Sequence, residues 1–212
     1  LAMQTEVDEV AVFTACSETF NQKNINCSID ESFERFKPVL QLAKKNRIKV
    51  RGYLSTCFYC PFEGRIAEKK AVELTLRLLK MGCYEVSIGD TIGAATPKQV
   101  KKFFSLLRKE TSLKKIAGHF HDTRGTALIN IYASLEEGVR IFDSSLGGLG
   151  GCPFAPGSTG NVATEDVVYM LSEEGISTGL DLSKLILLNK ELSGWMNKKL
   201  PSRVSSSPIL VR

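Results

Sequence analysis

Lys115-Ile116-Ala117-Gly118-His119-Phe120-His121-Asp122 decides how this chain is read. Apolar and small residues run through Lys115 to His121 in the manner of a buried strand. Side chains two apart on a strand share a face. His119 and His121 therefore project together, and Phe120 faces the outer helices. They are the 2 histidines of the chain. Imidazole is a common ligand for divalent metals. Two on one face, with Asp122 at the strand end, point to one catalytic metal at the mouth of a (β/α) barrel.

Outward from this strand the same unit repeats. Four more β-like runs cover Val7 to Ala15, Ile48 to Cys57, Tyr84 to Asp90 and Val139 to Ser145. Helical patterns fill the gaps. One opens at Ser28-Ile29-Asp30-Glu31, with Ser28 or Asp30 as cap, and continues through Phe33, Phe36, Leu40 and Ala43. Ala67 to Met81 stops at Gly82. Thr96-Pro97 starts a third, with Val100, Phe103, Phe104 and Leu107 on its apolar face. Ala127 to Leu135 stops at Gly138, and Thr164-Glu165-Asp166 starts another. Strands alternating with helices predict a parallel sheet. Unusual polar residues collect just after each strand, the edge where (β/α)8 barrels keep their chemistry. An open doubly wound sheet also binds there, but would carry an early phosphate loop, and none is seen.

That edge supplies further candidates. Ser87 and Asp90 lie at the end of one strand. They read as hydrogen-bond partners of a substrate or a metal-bound water, or, for Asp90, as a cap for the next turn. Gly147-Gly148-Leu149-Gly150-Gly151-Cys152-Pro153 leads on to Gly160-Asn161. Six glycines between 147 and 160 make a pliable stretch, either a linker or a lid. Cys152 within it is a candidate acid or base. The amide oxygen of Asn161 can complete a metal sphere with the two histidines, and imidazole plus oxygen suits Mg²⁺ or Mn²⁺.

Composition restricts the function classes. The chain has 212 residues, 43% hydrophobic and 24% charged, with a formal charge of +5. Those values fit a globular protein with a real core. The basic residues are spread in short pairs and read mainly as solvated surface. No basic and aromatic interleaving suggests nucleic acid. No apolar run reaches membrane length, and no signal peptide is seen. The 6 cysteines include several in apolar stretches, as in a reduced compartment. Cys57-Phe58-Tyr59-Cys60 has CxxC spacing but no second pair, which weakens a zinc or redox reading.

Together these segments resemble the 3-hydroxy-3-methylglutaryl-CoA lyases, a branch of the DRE-TIM metallolyases. The resemblance runs through Lys23 to Ser28, Val50-Arg51-Gly52-Tyr53, Cys60-Pro61-Phe62-Glu63-Gly64, Gly89-Asp90-Thr91-Ile92-Gly93, His119 to Thr123, Gly147 to Pro153 and Gly160 to Asp166. It implies metal-dependent retro-Claisen cleavage of HMG-CoA to acetyl-CoA and acetoacetate. His119, His121 and Asn161 match the metal ligands of that family. Cys152 matches its lid cysteine, and Asp90 matches an aspartate near the substrate. His119 and Asp90 thus join Cys152 as expected catalytic residues, with Ser87 and Asp90 against the substrate.

The family also carries an Arg-Asp strand and a glutamate strand that have no counterpart here. The expectation is therefore one domain over residues 1–212, a (β/α)8 TIM-barrel type with only its last five β/α units, roughly three being absent from the front. A rival is a non-catalytic truncated remnant or interaction protein. Another is a different DRE-TIM acyl-CoA lyase or synthase. The resemblance further implies an acyl-CoA substrate, a homodimeric parent, and a mitochondrial matrix or bacterial cytoplasmic location.

Overall fold

The computed structural model describes residues 4–151 and 160–207. Its frame is a parallel sheet of five strands: β1 (Glu9–Ala15), β2 (Lys49–Ser55), β5 (Glu85–Asp90), β6 (Ile116–Phe120) and β7 (Ile141–Asp143). They lie side by side in chain order. That singly wound order is how a (β/α) barrel wall is laid down. A doubly wound sheet would instead reverse its strand order partway. Among the described residues the two edge strands, β1 and β7, do not pair with each other, so no closed barrel forms. Beyond β7 the chain adds a single parallel bridge, Ser145 to Ala163. This extends the parallel arrangement past the five strands expected from the sequence.

Helices cover one face. They are α1 (Glu18–Ile25), α2 (Ile29–Lys45), α3 (Glu68–Met81), α4 (Pro97–Leu107), α5 (Ala127–Glu137), α6 (Thr164–Glu173) and α7 (Leu182–Trp195). The start of α2 is set by Ser28, whose hydroxyl accepts from Glu31 N while the Glu31 carboxylate accepts from Ser28 N. Thr96 and Gln99 make the same reciprocal cap ahead of Pro97. Val50, Leu54, Val86, Ile88, Ile116 and Phe120 point from the strands into the layer formed by Phe33, Leu74, Leu78, Val100, Phe103, Phe104 and Ile131. All are buried, and the aromatic rings of Phe58, Phe103 and Phe120 pack on one another in the middle.

Three elements have no counterpart in the sequence reading. They are α1, the small hairpin of β3 (Tyr59–Cys60) with β4 (Gly64–Arg65), and α7. The apolar period of α1 is too weak to see: only Phe20 and Asn21 are buried on it. The strand end expected at His121 falls one residue earlier, at Phe120. His121 instead forms an isolated antiparallel bridge with Asn161. The segment before β1 is turn and coil over residues 5–8. No helix among the described residues is long and apolar enough to cross a membrane.

Candidate metal centre

The face of the sheet away from the helices is polar, and strand register explains why. Arg51 lies beside Glu85, Tyr53 beside Ser87, Gly89 beside His119, and His119 beside Asp143. These positions alternate with the buried apolar ones, so they share one face. The result is a row of charged and aromatic side chains across β2, β5, β6 and β7.

At the end of that row the two histidines converge. His119 Nε2 and His121 Nε2 stand 3.4 Å apart, with ring centroids at 5.3 Å. Each ring has further partners. His119 Nδ1 is 3.2 Å from Asp143 Oδ2. His121 hydrogen-bonds the Thr91 backbone and the Asn161 side chain. Burial and the neighbouring His119 push the His121 pKa down to about 4, against those two bonds, so its ring is neutral at pH 7. Asn161 Nδ2 donates to Leu149 O at 2.9 Å, which fixes how the amide faces.

This arrangement fits a divalent cation. Two nitrogens each about 2.1 Å from one ion stand roughly 3.0–3.4 Å apart for angles between right and tetrahedral. The His119 carboxylate partner is the usual support behind a metal-bound imidazole. Among the described residues no group of three His, Cys, Asp or Glu side chains gathers for a metal. The set here is two imidazoles and one amide.

The other candidates are placed differently. Ser87 is buried, and its hydroxyl donates to Asp143 Oδ2 at 2.7 Å, on the same face as the histidines. Asp90 is fully buried at the end of β5, where its two oxygens accept from Ala94 N at 3.0 Å and Ala95 N at 3.1 Å. Burial raises its pKa to about 6, although those two bonds oppose it. Asp90 also touches the centre through its carbonyl, which accepts from His121 N at 3.4 Å. Cys152 lies outside the described residues. The CxxC cysteines have separate partners: Cys57 Sγ donates to Leu54 O at 3.0 Å, and Cys60 Sγ lies 3.0 Å from Ser17 Oγ. All five described cysteines are free and buried.

Asp143, Arg51 and Glu85 were not singled out from the sequence as site residues. Arg51 Nη2 lies 2.8 Å from Asp143 Oδ1, and its Nε lies 2.7 Å from Glu85 Oε1. Burial works against the guanidinium charge, but Asp143 and Glu85 more than offset it and raise the Arg51 pKa. The signal was available: Arg51, Glu85 and Asp143 are charges inside strands of a parallel sheet, where both faces are normally covered.

The chain is similar to known proteins. The chain is 50% identical over 195 residues to the hydroxymethylglutaryl-CoA lyase of Pseudomonas mevalonii, covering 92% of this chain and 65% of that protein. It is 47% identical to the mitochondrial hydroxymethylglutaryl-CoA lyase of Homo sapiens, over 97% of this chain and 63% of that one. The chain thus spans slightly less than two thirds of either relative. The crystal structure of hydroxymethylglutaryl-CoA lyase from Pseudomonas aeruginosa superimposes with a TM-score of 0.93 at 47% identity, over 97% of this chain and 68% of that one. The HMGL-like family profile matches residues 1–191, and the chain belongs to the HMGL-like family.

Proposed function

We propose that this chain carries the metal site of a hydroxymethylglutaryl-CoA lyase, which cleaves HMG-CoA to acetyl-CoA and acetoacetate. The observation that carries the reading is the convergence of His119 Nε2 and His121 Nε2 at 3.4 Å beside Asn161. Relatives with that named activity, at 47–50% identity, support it. The sheet corresponds to the later β/α units of an eight-unit barrel, organised as one domain over residues 1–212.

His119, His121 and Asn161 would hold Mg²⁺ or Mn²⁺. A cation there supplies positive charge for the substrate oxygens that become anionic as the carbon–carbon bond breaks. The chain's own groups do the rest. The neutral imidazoles and the amide bring donors without adding charge. Asp143, Arg51 and Ser87 hold the inner face rigid. Ser87 and Asp90 are kept as the candidates for contact with the substrate. Overall, one proton leaves the tertiary hydroxyl, the carbon–carbon bond cleaves to acetoacetate, and one proton is returned to the acetyl-CoA carbanion. Asp90 and Cys152 are assigned to these transfers by likeness to the family, with His119 at the reacting oxygens. The substrate class is an acyl-CoA, in line with the relatives' names; a homodimeric parent and a mitochondrial matrix or bacterial cytoplasmic location are assigned by likeness to the family.

The test is an assay of the chain with HMG-CoA and Mg²⁺ or Mn²⁺, following acetoacetate and acetyl-CoA together. Equimolar products that vanish with chelator support the reading. Undiminished product formation in the chelated protein overturns it. Metal binding without any product favours the rival, a non-catalytic interaction protein.

A further inference from the structure

Asp143 is the most heavily used carboxylate on the inner face. Its Oδ2 receives Ser87 Oγ at 2.7 Å and lies 3.2 Å from His119 Nδ1. Its Oδ1 takes Arg51 Nη2 at 2.8 Å. Arg51 is in turn fixed by Glu85 and by the Tyr53 hydroxyl, and the Tyr53 ring meets the His119 ring edge-on at 6.5 Å. Thus Asp143 on β7 and Tyr53 on β2 meet one imidazole on β6, and Ser87 on β5 and Arg51 on β2 reach it through Asp143.

We propose that Asp143 is a positioning residue that locks His119 in the tautomer with its proton on Nδ1, leaving the Nε2 lone pair aimed at the His121 side for a divalent cation. This rests on the reading of the two histidines as metal ligands. The chemistry is specific. A neutral imidazole donates from one nitrogen and accepts at the other. A carboxylate can only accept, so the nitrogen facing it must carry the proton. The Arg51 guanidinium pairs with Oδ1 and the Ser87 hydroxyl donates to Oδ2, so Asp143 faces His119 as an ion-paired acceptor. Arg51 and Ser87 also hold one oxygen each, so the carboxylate cannot swing away. Ser87, expected against the substrate, acquires a supporting role behind the metal ligand.

Asp143→Asn tests the tautomer with almost no change in shape. Arg51 can only donate, so it claims the amide oxygen of the new residue. The amide N–H then faces His119, whose Nδ1 must accept and whose Nε2 takes the proton. In metal-free, ¹⁵N-labelled chain, long-range ¹H–¹⁵N spectra distinguish the two tautomers, and His119→Ala assigns the two rings. The expected result is the Nδ1–H form in the unsubstituted chain and the Nε2–H form in Asp143→Asn. Mn²⁺ affinity, read by electron paramagnetic resonance, should fall roughly 10- to 100-fold in Asp143→Asn. Asp143→Glu, which keeps an acceptor, should restore the Nδ1–H form. An Nε2–H His119 in the unsubstituted chain overturns the proposal even if Asp143→Asn fails to fold. So does Mn²⁺ binding that is lost in His119→Ala yet untouched in a folded Asp143→Asn, a result that leaves the metal reading standing. Equal Mn²⁺ affinity in the unsubstituted chain and His119→Ala instead removes the metal reading itself.

Discussion

Glu165 closes both carboxylate oxygens on a single backbone group, the N–H of Gly147, at 2.9 and 3.1 Å. It is fully buried. Asn189 Nδ2 donates to the same carboxylate at 2.6 Å, and Ser205 Oγ reaches it at 3.4 Å. One residue at the start of α6 therefore ties together the first turn of the glycine-rich stretch, the middle of α7 and the turn near residue 205. Its neighbour Asp166 anchors the same turn, accepting from Ser202 Oγ, Arg203 N and Val204 N.

Replacing Glu165 by Ala strands the Gly147 N–H and the Asn189 amide in a buried site. Unsatisfied buried donors cost about 1–3 kcal/mol each. A loss of roughly 3 kcal/mol is expected, measured as a lower urea midpoint at unchanged slope. A loss under about 0.5 kcal/mol would show that the carboxylate is not the tie described.

The loop after β5 is pressed against the segment just past β6 at one glycine. Gly93 has φ +57, and a Cβ there would sit 2.6 Å from the His121 carbonyl oxygen and 2.9 Å from Thr123 N. Both are backbone atoms that cannot rotate aside. Gly175 has a similar φ of +72 with nothing within 4 Å of its Cβ position. Gly175→Ala should therefore cost only the conformational penalty, about 1 kcal/mol. Gly93→Ala should cost roughly 2 kcal/mol more and weaken Mn²⁺ binding by displacing His121. Paired thermal melts and Mn²⁺ titrations of the two variants check this, and equal effects would contradict it.

Much of this was legible from the residues, for identifiable reasons. The five strands and the helices from α2 to α6 announce themselves through apolar periodicity and caps such as Ser28 and Thr96. The same-face relation of His119 and His121 follows from a spacing of two. What could not be read is partnership across strands. Asp143 meets His119, and Arg51 meets Glu85, only once register is known. The helix α7 escaped because so much of it is exposed: among its residues only Asn189 is buried, and Trp195 is 82% exposed. Its buried tie is the Asn189 contact with Glu165, which no periodic pattern reveals.

Two buried groups make opposite contributions to acid stability. In the folded chain His121 titrates near 4, below the usual value of about 6.5. Its contribution is complete above pH 6.5 and is lost as pH falls toward 4, because the unfolded chain then binds the extra proton. Asp90 titrates near 6 in the folded chain, above its ordinary value of 3.8. Its folded form takes up a proton first, so it adds stability as pH falls from about 6 to 4. In the metal-free chain these trends offset each other. His121→Asn removes one of them, so the variant should gain on the unsubstituted chain by up to about 3 kcal/mol between pH 6.5 and 4. Urea unfolding across that range measures the difference, and parallel curves would contradict the assignment.

Cys152, assigned to proton transfer by likeness to the family, makes a separable prediction. Cys152→Ala should lower HMG-CoA cleavage roughly 100-fold or more, the usual range for a lost acid or base. Mn²⁺ affinity should stay within about twofold, because Cys152 is not among the proposed ligands. Full turnover in the variant would remove Cys152 from the reaction.

The central claim is that His119 and His121 hold one divalent cation between them. Calorimetric titration of chelator-treated chain with Mn²⁺ addresses it directly, with and without the paired change His119→Ala and His121→Ala. The account predicts one site per chain that disappears in the folded double variant. An unchanged stoichiometry and affinity in that variant would contradict it.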